Sequence, residues 1–230
     1  MFPFPFSFFG GVSGPPELEL IDNDFSMEFN GMDEYINTSA TPAALGLPAT
    51  TVSGDSFSIS LWYNHSTLTN GPPIIQSTTN YAWNDGFAIK QEVALGQDRL
   101  RFWVGAQATH VATGNLNASQ WYHVVAVFTG GATHNLKIYV DKVLGANADQ
   151  SFTTSRNIHN PTPISMAWAP DGYGYFYDGM LDEVAIWTRA LDATEVETIY
   201  DSTNDNPGKC ANLFTGGLGT DLVFWNRMGD

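Results

Sequence analysis

From Ser26 onward, apolar and polar residues alternate in short runs bounded by Gly, Pro, Asn and Asp. A half-buried strand needs this period of two and a helix cannot use it. In residues 57–63 (FSISLWY) the alternation puts Phe57, Ile59, Leu61 and Tyr63 on one face. Further along, Leu100, Phe102 and Val104 alternate with Arg99, Arg101 and Trp103, so both runs read as strands with one wet face. Residues 121–128 and 136–140 are joined by a Gly-containing connection, 129–135 (TGGATHN), which reads as a hairpin. Further strands fit 87–90, 164–168, 173–177 and 181–187, and a last apolar run covers 222–225 after a loop-like stretch at 201–219. A single helix is expected, opened by Asp192 and Glu195 as a capping pair, with Val196, Ile199 and Tyr200 as a small apolar face on the sandwich edge. Many short strands with one terminal helix predict an all-β, two-sheet antiparallel jelly-roll sandwich.

At 230 residues the chain suits one such domain, since sandwiches of that size share a single core. Its 24 acidic residues against 9 Lys and Arg give a net charge of −15, which would repel a phosphate backbone and excludes nucleic acid as an expected partner. Cys210 is the only cysteine, so no internal disulfide and no cysteine-based zinc cluster can form. The opening residues 1–11 (MFPFPFSFFGG) are apolar but short, lack a basic start and carry Pro3 and Pro5, so neither a signal peptide nor a membrane insertion is expected. Residues 1–16 read instead as an extended arm whose Phe2, Phe4, Phe6, Phe8 and Phe9 serve assembly, by insertion into a neighbour or by folding back onto their own domain. The domain proper spans 17–200, and 201–230 supplies a loop and a final strand.

Chemistry is sparse along the chain. Asp182 and Glu183 are adjacent, as are Asp33 and Glu34, so on a regular strand each pair points to opposite faces and cannot flank one glycosidic bond. Glu17 and Glu19 share parity but follow Pro15 and Pro16 in a linker-like setting. No G-x-S-x-G or phosphate-cradling loop occurs, and the five histidines are dispersed, with His123 in register with Trp121, Val125 and Val127. The expectation is a non-catalytic module. A ligand surface would lie on loops where rings stand beside polar groups: Trp83, Asn84 and Asp85 in one stretch, Trp168, Asp171, Tyr173 and Tyr175 in another.

Three segments, in order, resemble the laminin G-like, concanavalin A-like lectin/glucanase superfamily. Residues 29–36 (FNGMDEYI) are similar to its early F-[DN]-G signature, 121–143 (WYHVVAVFTGGATHNLKIYVDKV) to its central hairpin, and 178–200 (DGMLDEVAIWTRALDATEVETIY) to its closing strand and helix. The resemblance implies a concanavalin A-like fold and a structural calcium ion held by the Asp182 carboxylate with a carbonyl of Asn30 or Gly31; a salt bridge or turn hydrogen bond at Asp182 is the alternative. Lys142 stands where the family has glycine, so a wider or different turn is expected there. The tail 221–230 resembles a family opening strand at the wrong end, whether permuted, belonging to a neighbour or opening a second module. Relatives occur in phage virions and in secreted proteins. The arm and the missing leader favour a virion component, a homo-oligomer meeting other virion or cell-surface proteins; an exported or cell-surface glycan-binding adhesion module is the alternative, and a diverged glycanase a third reading.

Overall fold

The alternating runs pair into two antiparallel sheets that face each other across an apolar layer; the computed structural model describes residues 17–66, 71–79, 84–94, 97–169 and 174–229. In chain order the strands are β1 (Leu20–Asp22), β2 (Met27–Asn30), β3 (Ile36–Asn37), β4 (Ser56–His65), β5 (Pro73–Ser77), β6 (Phe87–Ala94), β7 (Gln97–Val104) and β8 (His110–Ala112). They continue as β9 (Tyr122–Thr129), β10 (His134–Val140), β11 (Val143–Phe152), β12 (Ser165–Met166), β13 (Asp178–Trp187), β14 (Lys209–Ala211) and β15 (Leu222–Asn226), with helix α1 (Ala193–Asn204) after β13. The seven-stranded sheet runs β11-β10-β9-β4-β13, and β2 and β15 lie end to end along the free edge of β13. The six-stranded sheet runs β3-β12-β5-β6-β7-β8. The tail therefore completes its own chain's sheet, in line with the first strand of that sheet.

The inward faces follow the alternation. Phe57 meets Phe128 of its own sheet and Phe87 of the other at 5.3 Å between ring centroids, and Phe102 edge-on at 6.4 Å. Each fully buried side chain of this size stabilises the fold by about 1.5–3 kcal/mol. Gly86 enters β6 at φ +66°, where a Cβ would stand 1.6 Å from the Ser77 carbonyl oxygen, so only glycine fits.

The outward faces depart from expectation. The far side of β4 is not wet: Ser58 and Ser60 are buried. Ser58 Oγ donates to the Arg189 carbonyl and accepts from the Leu191 amide, both at 2.9 Å. The helix lies over this outer face rather than on the sandwich edge. Val196 and Ile199 join Val125, Val127, Ala185 and Trp187 in a second apolar cluster. Asp192 and Glu195 form the capping box. Within the stretch expected to be loop, β14 pairs with β1, and Trp187 Nε1 donates to the Leu218 carbonyl at 2.7 Å. Trp103, assigned to a wet face, is fully covered in a small cluster with Ala88, Ala169 and Tyr175. The run at 173–177 forms no strand in its described part, only an isolated bridge from Phe176 to Trp168.

Two local features correct the reading further. Val140 pairs directly with Val143, so Asp141 and Lys142 form a tight two-residue turn with φ of 48° and 62°, as a type I′ hairpin requires. In glycine's usual place Lys142 reaches α1, its Nζ 2.8 Å from Asp201 and 3.1 Å from Glu197. β13 carries a bulge between Asp182 and Ala185, with Glu183 at φ +50°. The extra residue breaks the parity that would have sent Asp182 and Glu183 to opposite faces.

Candidate functional site

On a regular strand, Trp62 points away from the inner core, and the register across the seven-stranded sheet puts Asp182 on one side of it and His123 on the other. Asp141, at the β10–β11 turn, extends the row: its Oδ1 accepts from the His123 amide at 2.8 Å. Above the row, Tyr200 of α1 stacks on Trp62 at 5.9 Å with an 18° interplanar angle. Beside Tyr200, Thr203 and Asn204 of the helix the space opens as a groove of about 560 Å³. One wall is the link from β1 to β2, Asn23 to Ser26, and the other is Pro207 and Gly208 after α1 with Lys209 at the start of β14; Trp62 and Asp182 line the floor, and Gln120, Trp121 and Asp141 close one end.

Several groups around the groove are already committed. Asp182 accepts from the Asn23 amide at 3.0 Å and from the Glu183 N–H at 2.8 Å. Lys209 pairs with Asp22, whose carboxyl it holds below its ordinary range. His123 is fully buried and bonded through Nε2 to Ser60 Oγ at 2.8 Å, while its Nδ1 has no hydrogen-bond partner among the described residues. Burial pushes its pKa down to about 3, so the ring is neutral. Burial raises the Asp141 carboxyl, opposed by the bond from the His123 amide.

Beside the groove, Glu183 is sealed in by Trp225 Nε1 at 2.6 Å and Arg227 Nε at 3.2 Å. Burial raises its carboxyl, and burial together with the Glu183 charge raises the Cys210 thiol to about 12. The bulge thus turns both carboxylates outward, yet Asp182 borders the groove while Glu183 is closed off from it. They do not make an open pair across one bond.

Of the residues expected to bind ligand, the four that are described do not converge. Asp85 accepts from Thr79 near the Ser77 end of β5 and β6, and Asn84 beside it is exposed. Trp168 and Tyr175 lie toward the other end, where the Ala167 amide bonds Ile74 and Tyr175 sits against Gly71. Four residues of strand, about 13 Å, separate the two ends. Trp168 packs on Tyr35 at 4.7 Å. Trp83, Asp171 and Tyr173 lie outside the described residues, as do Phe2, Phe4, Phe6, Phe8 and Phe9.

The residues expected to hold calcium do not fit one ion. Asn30 pairs with Asp178, so Asp182 is four residues further along β13, about 13 Å away. The Asn30 side chain caps its own turn, bonding the amides of Met32 and Asp33. Gly31 bonds the Tyr177 carbonyl through its N–H. No group of three or more His, Cys, Asp or Glu among the described residues could hold a metal ion.

The groove was missed because its lining comes from six separate stretches of chain. The signal that could have found it is Trp62, a large ring at an outward position of β4 whose other outward residues are Ser56, Ser58, Ser60 and Asn64.

The family model described as the concanavalin A-like lectin/glucanases superfamily matches residues 37–197. No curated protein matches the sequence. Among solved structures, the heptameric SAP-like pentraxin of Limulus polyphemus is similar at 16% identity and a TM-score of 0.54, over 77% of this chain and 82% of that one. Domain 4 of an extracellular arabinanase from Geobacillus stearothermophilus, in complex with arabinotriose, is similar at 15% and 0.53, over 79% and 80%. A putative carbohydrate binding protein from Bacteroides ovatus is similar at 15% and 0.60, over 89% of this chain and 52% of that one.

Proposed function

The chain belongs to the concanavalin A-like lectin/glucanase superfamily, and on that premise we propose that it is a non-catalytic module that binds a glycan in the groove over Trp62. One observation carries this reading: a half-buried tryptophan on the floor of a roughly 560 Å³ groove, ringed by amides and carboxylates. A sugar presents a flat C–H face that stacks on such a ring and a rim of hydroxyls that such groups hydrogen-bond. The arabinotriose-bound arabinanase domain and the putative carbohydrate binding protein from Bacteroides ovatus, both of this fold, support the same ligand class. The separation of Asp182 from Glu183 supports binding without turnover. Screening the protein against a glycan array should give hits that Trp62→Ala abolishes while the circular dichroism spectrum is kept. An array without hits, or a Trp62→Ala variant that binds as the native protein does, overturns the reading; release of reducing sugar that disappears in Asp182→Asn would make it an enzyme.

The five phenylalanines in residues 2–9 favour a second, compatible reading: a phage virion component whose arm assembles it with its neighbours. Removing residues 1–14 should abolish incorporation into particles and leave glycan binding intact. Normal incorporation of the shortened chain would overturn the arm's role.

A further inference from the structure

One sheet edge lacks the protection that the others carry. β3 has two residues, and β1, β8 and β14 have three each, short edges of the kind that deter pairing with another chain. β11 carries the Asp149 charge with exposed Gln150 and Ser151, and the Asn30 N–H of β2 is taken by the Glu34 carboxylate at 2.8 Å. β15 (LVFWN) has neither charge nor proline, and each of its five residues is half-buried. Among the described residues no strand pairs with its side away from β13, which leaves a row of backbone groups there for another strand. Phe214, 71% exposed, stands against Trp225 at 5.3 Å between ring centroids, so an aromatic surface accompanies the open backbone.

The chain itself contains a segment that suits this edge. In residues 2–8 (FPFPFSF) Pro3, Pro5 and Ser7 alternate with phenylalanines. A strand added to an edge uses the backbone of every second residue, and a proline is tolerated only where its missing N–H faces away. Pro3 and Pro5 share one parity, so with both facing outward the amides of Phe2, Phe4, Phe6 and Phe8 all face the receiving strand. The outer side then lacks donors for any further strand. Seven residues extend about 23 Å, against about 17 Å for the five of β15.

We propose that the arm of one copy adds as a strand to the free side of β15 on a second copy, which returns its own arm to the first; this rests on the reading of the arm as an assembly device. The described chain opens beside this edge, since Leu18, Leu222 and Trp225 pack against one apolar cluster. Pro15 and Pro16, with φ fixed near −65°, favour an exit away from Glu17 over a return along the same domain. Residues 9–17 then supply a leash of up to about 30 Å. Reciprocal exchange closes a two-fold dimer and covers both β15 edges.

Sedimentation and hydrogen exchange on the full chain test this. The native chain should be a dimer in which the alternate amides of residues 222–226 facing away from β13 are protected. Replacing Phe2→Ser, Phe4→Ser, Phe6→Ser and Phe8→Ser together should give a monomer whose same amides exchange at least about a hundredfold faster, with β9, inside the sheet, unchanged. Single prolines read the parity: Ser7→Pro should leave dimerisation as it is, and Phe6→Pro should weaken it about tenfold beyond Phe6→Ala, the loss of one strand hydrogen bond. Equal weakening by Phe6→Pro and Phe6→Ala would mean side-chain contact without strand pairing and overturn the proposal. A monomeric native chain would overturn it too, whether those amides are protected by the chain's own arm or left open. An arm-dependent dimer whose 222–226 amides exchange alike with and without the phenylalanines would overturn β15 as the receiving edge and leave the arm's assembly role standing. A dimer that survives all four serines would bring down both.

Discussion

The two faces of the seven-stranded sheet are built on different terms. The inner face is hydrocarbon against hydrocarbon: Phe57, Ile59, Leu61, Val124, Phe128 and Ile186 meet the opposite sheet across one continuous cluster. The outer face is a shallower layer, with a helix and two short strands over it, polar contacts from Ser58 to the Arg189–Leu191 backbone and from Trp187 to Leu218 that tie the covering chain down, and a bond from Trp225 to Glu183 between neighbouring strands of the sheet. Non-directional packing alone makes the first face, and the second adds directional bonds to its own apolar cluster around Val196 and Ile199. The groove is on the second, where the cover is incomplete.

The contrast can be broken most severely from inside. Phe57→Ala should destabilise the fold by about 3–5 kcal/mol, read as a lower denaturant midpoint at unchanged slope. A loss under 1 kcal/mol would mean that the two sheets are not clasped through that ring.

On the outer face, His123 should make stability depend on pH. Its folded pKa, near 3, lies below the ordinary 6.5, so the unfolded chain binds the extra proton between those values. Stability contributed by the neutral ring is complete above about pH 6.5 and is lost as pH falls, by about 3 kcal/mol at pH 4. His65, His110 and His134, also lowered chiefly by burial, add in the same direction. Glu183 opposes them, because a raised carboxyl favours the folded state as pH drops toward its value. In His123→Phe the slope between pH 6.5 and 4 should flatten, measured by urea melts across that range.

A smaller effect is expected from Trp225→Phe, which deletes the indole donor to Glu183 and should cost about 2 kcal/mol. If it costs nothing, the β13–β15 edge is held by backbone pairing and packing without that bond. Smallest of all is Lys142→Gly. The turn gains a residue suited to positive φ while α1 loses its two exposed ion pairs, and the melting temperature should move less than in any of the other variants.

The inner face was legible in the sequence because every second residue of β4 and β7 is large and apolar and period two has only one geometric reading. The outer face was not. Ser58 and Ser60 look like solvent positions, yet a short hydroxyl can be buried when it bonds the chain that covers it, and nothing local to FSISLWY announces that cover. Asp182 and Glu183 were misread for a related reason: parity assumes a regular strand, and a bulge at a non-glycine residue leaves little trace in composition. The groove unites positions from Asn23 to Lys209, so no window of sequence contains it, and of the loop residues that did stand out, the described ones lie toward opposite ends of the smaller sheet, Asn84 and Asp85 at one and Trp168 and Tyr175 at the other.

The end-to-end seating of β2 and β15 against β13 has a consequence for biogenesis. Val184 to Trp187 present bare backbone amides and carbonyls on that side until residues 222–226 arrive, so a nascent chain still tethered at the ribosome carries an unfinished, adhesive margin. Closure then pairs residues 35 positions apart at Trp187 and Leu222 and 42 apart at Val184 and Asn226, so it waits on the emergence of residues 222–226 rather than on a long-range search. Synthesis that stalls near α1 should therefore yield aggregates rather than a soluble truncated fold.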